Sequence, residues 1–150
     1  MNYIKLQQDI LKAKYIEDTR ARRSPFAYGF YEESVAIVIN GSCIVFIPKC
    51  EFYLDLDKVF PKNVPIKLDT VMKNIYEAEP IEDTRATRIV ADDRKVRIFS
   101  GKNDQIWIAD DLFKYFGKDV TEYRGTDKRS PIYLYEYKVL VGVLYPVNHA

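Results

Sequence analysis

The chain has 150 residues, 47% apolar and 30% charged, enough for one domain with its own core and unlike either a disordered tail or a membrane-embedded protein. Its 23 Lys and Arg balance 22 Asp and Glu to a net charge of +1, evenly spread, which excludes a uniformly basic nucleic-acid binder. No apolar signal segment follows Met1-Asn2-Tyr3, and no stretch approaches the roughly 18 apolar residues of a membrane span. The expectation is a single cytoplasmic domain over 1–150.

In chain order, Tyr3, Leu6, Ile10 and Ala13 fall at helical spacing, with Leu11 widening the stripe and Lys5, Gln8, Asp9 and Lys12 on the other side. Strands are predicted over Phe26–Tyr31, Val35–Ile39 and Cys43–Ile47, joined by turns at Glu32-Glu33 and Asn40-Gly41. Glu51–Phe60 reads equally as a helical turn or a strand. Between the boundary prolines Pro61, Pro65 and Pro80, Leu68, Val71, Met72 and Ile75 predict a second amphipathic helix. Strands follow over Thr87–Ala91, Lys95–Phe99 and Gln105–Ile108, with a turn at Asp92-Asp93. Asp110-Asp111 is placed as the cap of a short helix, Leu112–Phe116, stopped by Gly117. Short strands near Val120–Tyr123, Ile132–Tyr137 and Val139–Tyr145 close the chain.

The sequence also repeats itself. Ile16-Glu17-Asp18-Thr19-Arg20-Ala21-Arg22-Arg23 recurs as Ile81-Glu82-Asp83-Thr84-Arg85-Ala86-Thr87-Arg88, identical at seven of eight positions. Upstream, Ile4-Lys5-Leu6 recurs as Ile66-Lys67-Leu68, and downstream Val35–Val59 lies on Val96–Val120 without a gap. The expected fold is α+β, built from two pseudo-equivalent halves of about 3–60 and 65–148, each a helix packed on antiparallel sheet.

Catalytic chemistry finds little footing. His149 is the only histidine, and Cys43 and Cys50, spaced C-x6-C, read as structural thiols rather than a disulfide or metal pair. No phosphate-cradling or nucleophile-elbow motif occurs among the six glycines. The carboxylate pairs Glu32-Glu33, Asp92-Asp93 and Asp110-Asp111 fall at turns and a helix start, where they serve backbone and solvent. No catalytic residue, metal ligand, cofactor or small-molecule substrate is expected, and a small carboxylate-based hydrolase is the remotest reading. For nucleic acid the candidates are Lys5, Lys12, Arg22, Arg23, Lys67 and Lys73, with acids beside them. The repeated Arg20 and Arg85 either contact phosphate or pair with Glu17 or Asp18 and with Glu82 or Asp83. For a partner interface the candidates are Tyr133, Tyr135 and Tyr137, which alternate onto one strand face.

Ser130-Pro131-Ile132 and Leu144-Tyr145-Pro146-Val147, with the helix Leu112–Phe116 before them and the internal duplication, resemble a domain of the bacterial DNA polymerase sliding clamp. Tyr145 stands where that family has Met and Asn148 where it has Arg, and the chain is long enough for one clamp domain rather than three. The resemblance implies a clamp-like fold, a partner-binding role for Tyr145, Pro146 and Val147, and the look of a small phage or prophage protein. The expected function is a non-enzymatic clamp-like accessory or interaction protein in DNA metabolism, binding a protein partner or itself, with DNA as a further candidate. The alternative is a protein-interaction module or inhibitor that binds no DNA.

Overall fold

The computed structural model describes residues 2–61 and 63–149. Helix α1 (Tyr3–Arg20) opens the chain, its first turn closed by the Asn2 side chain, which accepts the Lys5 N–H at 3.2 Å. Strands β1 (Phe26–Tyr31), β2 (Ser34–Ile39) and β3 (Cys43–Pro48) follow as a meander, then the one-turn helices α2 (Leu56–Val59) and α3 (Asp69–Met72). The second half comprises β4 (Glu79–Val90), β5 (Arg94–Ser100), β6 (Gln105–Ala109), β7 (Glu122–Gly125), β8 (Ile132–Glu136) and β9 (Val139–Leu144). All nine strands join one antiparallel sheet in the order β1-β2-β3-β9-β8-β7-β4-β5-β6. The α+β class is therefore as expected.

Strand alternation sends side chains to two cores. Val35, Ile37, Val45, Ile47, Ile132 and Leu134 face the main core, with Leu6 and Ile10 of α1 and Phe99, Ile106 and Ile108 of β5 and β6. Ala36, Ile44, Phe46, Tyr133 and Val143 face the opposite way, where Leu68, Met72 and Ala78 cover them. Thus α1 and the 64–78 segment lie on opposite faces of the sheet. Beyond β9, the Tyr145 N–H donates to Ser42 O and the Val147 N–H to Trp107 O. Two residues apart, these bonds bring β6, last in sheet order, back to the end of β3, so the sheet curls around the main core.

β4 belongs to both arms of that curl. Its first residues, Glu79–Ile81, pair with β7, and Glu82–Val90 pair with β5. Within the β5 pairing the register shifts between Asp83 and Thr87, where Arg85 adopts a φ of 62°. The Asp83 carboxylate accepts the Arg85 N–H at 2.8 Å, and the Thr84 hydroxyl accepts the Ala86 N–H at 3.2 Å while donating to Ile98 O at 2.7 Å.

Several expectations are corrected. The repeated octapeptide closes α1 and enters the linker in its first copy, but lies within β4 in its second. Its neighbours decide: helical apolar spacing precedes the first copy, whereas Pro80 and the β-branched Thr87, Ile89 and Val90 frame the second. The downstream part of the repeat does share elements, since β2, β3 and the 3-10 turn Lys49–Glu51 align with β5, β6 and the 3-10 turn Asp110–Phe113. The second helix shrinks to the single turn α3, whose N-cap residue, Leu68, offers no side-chain acceptor. Its apolar stripe nevertheless reaches the second core, with Leu68 and Met72 buried and Val71 and Ile75 partly so. Leu11 is half exposed, and the buried flank of α1 carries Gln7 instead. Asp110 and Asp111 sit inside a 3-10 turn rather than capping a helix, because Asp110 turns to the Arg97 Nε at 2.6 Å.

Asp9 gives the fold a pH-sensitive anchor. Its carboxylate accepts from the Tyr115 hydroxyl and pairs with Lys5 at 3.0 Å and Lys114 at 3.4 Å. Burial pushes this carboxyl up, but the three hydrogen bonds outweigh burial and hold it below the usual carboxylate range. A depressed folded value contributes stability above the unfolded pKa of about 4 and loses it as pH falls through the folded value. Asp9→Asn should therefore lower Tm at pH 7 and flatten its fall below about pH 4; a Tm–pH series from 7 to 2 checks both. An unchanged acid limb would remove Asp9 as the anchor.

Candidate interaction surfaces

The six cations proposed for nucleic acid do not converge. Lys5 is bound to Asp9, Lys12 is exposed on α1, and Arg22 and Arg23 follow α1 in the linker. Lys67 and Lys73 belong to the segment covering the other side of the sheet. The acids of the first repeat copy are committed elsewhere than to Arg20. Asp18 holds Lys14 at 2.7 Å, and Glu17 accepts the Ser24 N–H at 2.8 Å. Arg22 and Arg23 line a cleft of about 1260 Å³ whose floor includes Phe26 and Phe60 and whose rim carries Asn40 and Asn63.

The carboxylate pairs are placed as structure. Glu32-Glu33 makes the β1–β2 turn, with Glu32 at a φ of 50°. Asp92 and Asp93 make the β4–β5 turn at 62° and 57°. Asp111 lies 4.0 Å from Arg94. Of the thiols, Cys43 is buried in β3, where burial, helped by the Asp111 charge, pushes it up to about 12, while Cys50 is exposed beyond β3.

Of the three strand tyrosines, Tyr133 and Tyr135 share the α3 side of the sheet and Tyr137 does not. Tyr133 is fully buried, its hydroxyl donating to Val71 O at 2.6 Å. A register shift between Leu134 and Tyr135 follows, and Tyr137 occupies the β8–β9 turn, largely exposed, with a φ of 49°. Tyr135 alone enters a groove of about 560 Å³ on the α3 side of the sheet, with Tyr31, Phe46, Ile75, Tyr76 and Leu140. Tyr31 and Phe46 pack with ring centroids 5.4 Å apart, and Tyr76 is 94% exposed. Glu32, from the β1–β2 turn, Lys138, from the β8–β9 turn, and Arg124 bring charges to the lining. Arg124 Nε lies 2.9 Å from Glu122 Oε1 but without hydrogen-bond alignment, so that pair is an ionic contact only. Burial raises the Tyr31 and Tyr135 hydroxyls above their ordinary range, Glu32 adding to the effect on Tyr31, so both stay protonated donors at neutral pH. Sequence spacing pointed to Tyr135 but missed Tyr31 and Tyr76, which lie far from it in the chain.

Tyr145, Pro146 and Val147 are only partly exposed, because the segment after β9 runs beside β6. There His149 stacks on Trp107 with ring centroids 4.0 Å apart and planes 6° from parallel, and its Nε2 lies 2.9 Å from Gln105 O. Among the described residues no cluster of His, Cys, Asp and Glu could hold a metal ion, and no helix is long and apolar enough to cross a membrane. No family model, curated protein or solved structure matches the chain.

Proposed function

We propose that the chain is a non-enzymatic, clamp-like accessory protein of DNA metabolism whose working contacts are with protein, the first of them a second copy of itself through the tyrosine groove. The groove carries this reading. Its tyrosines present apolar rings and hydroxyl donors together, the chemistry that enriches Tyr at interfaces. Glu32 and Lys138 bring opposite charges from different turns to its lining, so a twofold axis passing between them would set each opposite the other's charge, the self-complementarity an isologous contact uses. The division of the six cations between two sheet faces favours protein over duplex DNA as the partner.

Light scattering behind size exclusion tests this. The expected mass is twice 17.6 kDa for the wild type and 17.6 kDa for Tyr135→Glu, which places a charge in the groove. Tyr133→Phe is the control: it removes a buried hydroxyl and costs about 1 kcal/mol in a urea melt while the dimer persists. A wild type that stays at 17.6 kDa at every concentration would end the self-assembly reading.

A further inference from the structure

β6 ends the sheet, yet its outer edge is not bare. The chain's own residues 145–149 lie along it, and the way they do so leaves work undone. The Val147 N–H donates to Trp107 O at 2.7 Å, as a neighbouring strand would. The next contact, at Gln105 O, is made by the His149 ring instead of a backbone N–H. Pro146 has no N–H to give, and the Tyr145 N–H is spent on Ser42 O. Residues 145–149 accordingly form no regular strand. Beneath the stacked His149 ring, the Trp107 Nε1–H is buried with no hydrogen-bond partner. The Arg88 guanidinium stands 5.2 Å from the same indole ring.

We propose that the outer edge of β6 is a strand-accepting site held closed by residues 145–149, and that its ligand is an extended segment of a partner protein that displaces them. The seated segment shows what the edge accepts: a backbone N–H facing Trp107 O and a flat ring over the indole. The unanswered Trp107 Nε1–H adds a third requirement, an oxygen acceptor on the incoming segment, and Arg88 favours that oxygen being a carboxylate. Addition of a strand at a sheet edge supplies affinity through main-chain bonds and selectivity through alternate side chains. A cover fixed at isolated points, rather than by a continuous ladder, is one that a better-matched strand replaces. This site lies apart from the tyrosine groove and does not depend on self-assembly there.

Trp107 is the only tryptophan in the chain, so its emission reports on this edge alone. The probe is a synthetic peptide with the sequence of residues 143–149 carrying Asp in place of Asn148, added to the full chain as wild type and as His149→Ala. The expected result is a saturable change in Trp107 emission for both, with half-saturation at least tenfold lower for His149→Ala, whose cover is loosened. The same peptide with Pro in place of Val147, which cannot donate to Trp107 O, is expected to produce no change. Equal half-saturation for the two chains, a Pro-containing peptide that works as well, or no saturable change would each overturn the proposal.

Discussion

Gly142→Ala is expected to lower stability by about 3 kcal/mol in urea denaturation, because the added methyl overpacks the middle of the sheet. Gly142 sits in β9 opposite Val45 of β3 and Leu134 of β8, in the middle of the sheet. A Cβ there would drive into the ring of Phe116 and stand 3.0 Å from Ile44 O. Phe116 is itself buried against the main core, so its ring has little room to retreat. The two obstacles are separable. Adding Phe116→Leu to Gly142→Ala should recover part of the loss, with a coupling of about 1–2 kcal/mol in the double-mutant cycle, because only the side-chain obstacle is removed. The backbone oxygen of Ile44 remains. An alanine variant as stable as the wild type would mean that β9 packs less closely on Phe116 than described.

Gln7→Leu is the second large effect, expected to cost about 2 kcal/mol although the new side chain is apolar and of similar size. Gln7 is 4% exposed, and its amide is fully used. Nε2 donates to Tyr3 O at 3.1 Å and to Glu51 O at 3.0 Å, and Oε1 accepts the Tyr53 N–H at 2.7 Å. One side chain thus pins the loop after β3 onto α1. Leucine would leave the Glu51 carbonyl and the Tyr53 N–H without their partner; since both residues are otherwise exposed, water answers part of the loss. Amide exchange at Tyr53 should accelerate in the variant while exchange in the β2 core stays slow. Unchanged Tyr53 exchange would show that the loop is held by other contacts.

Sequence patterning reached the strands because period-two alternation and local turn residues, such as Asn40-Gly41, fix hairpins within a few residues. It failed where distant partners decide. The octapeptide beginning at Ile16 and Ile81 has no strong preference of its own, so the residues flanking each copy make it the end of a helix and linker once and strand once. Gln7 belongs to neither the apolar stripe nor the polar side read along α1, and only the return of the 51–53 loop gives its amide three partners. The groove shows the same divide. Tyr135 was legible from alternation along β8, but Tyr31 joins it through the pairing of β3 with β9 and Tyr76 through the packing of the 64–78 segment on the sheet, long-range contacts that no local pattern announces. The edge at Trp107 was equally silent: Val147 was picked out from a family resemblance, not from its bond to β6.

The kink in β4 has a consequence for how the protein behaves in a crowded solution. Past Ile81 its outer side loses β7, which would ordinarily leave a ready template for another chain to extend into a fibre. The bulge at Arg85 breaks the straight run, Asp83 and Thr84 already occupy the next two N–H groups, and Arg88 puts a charge beside the short remainder. This stretch of β4 therefore presents no straight run for a second molecule to extend. Local irregularity, usually read as imperfection in a sheet, is here what blunts the open side of β4.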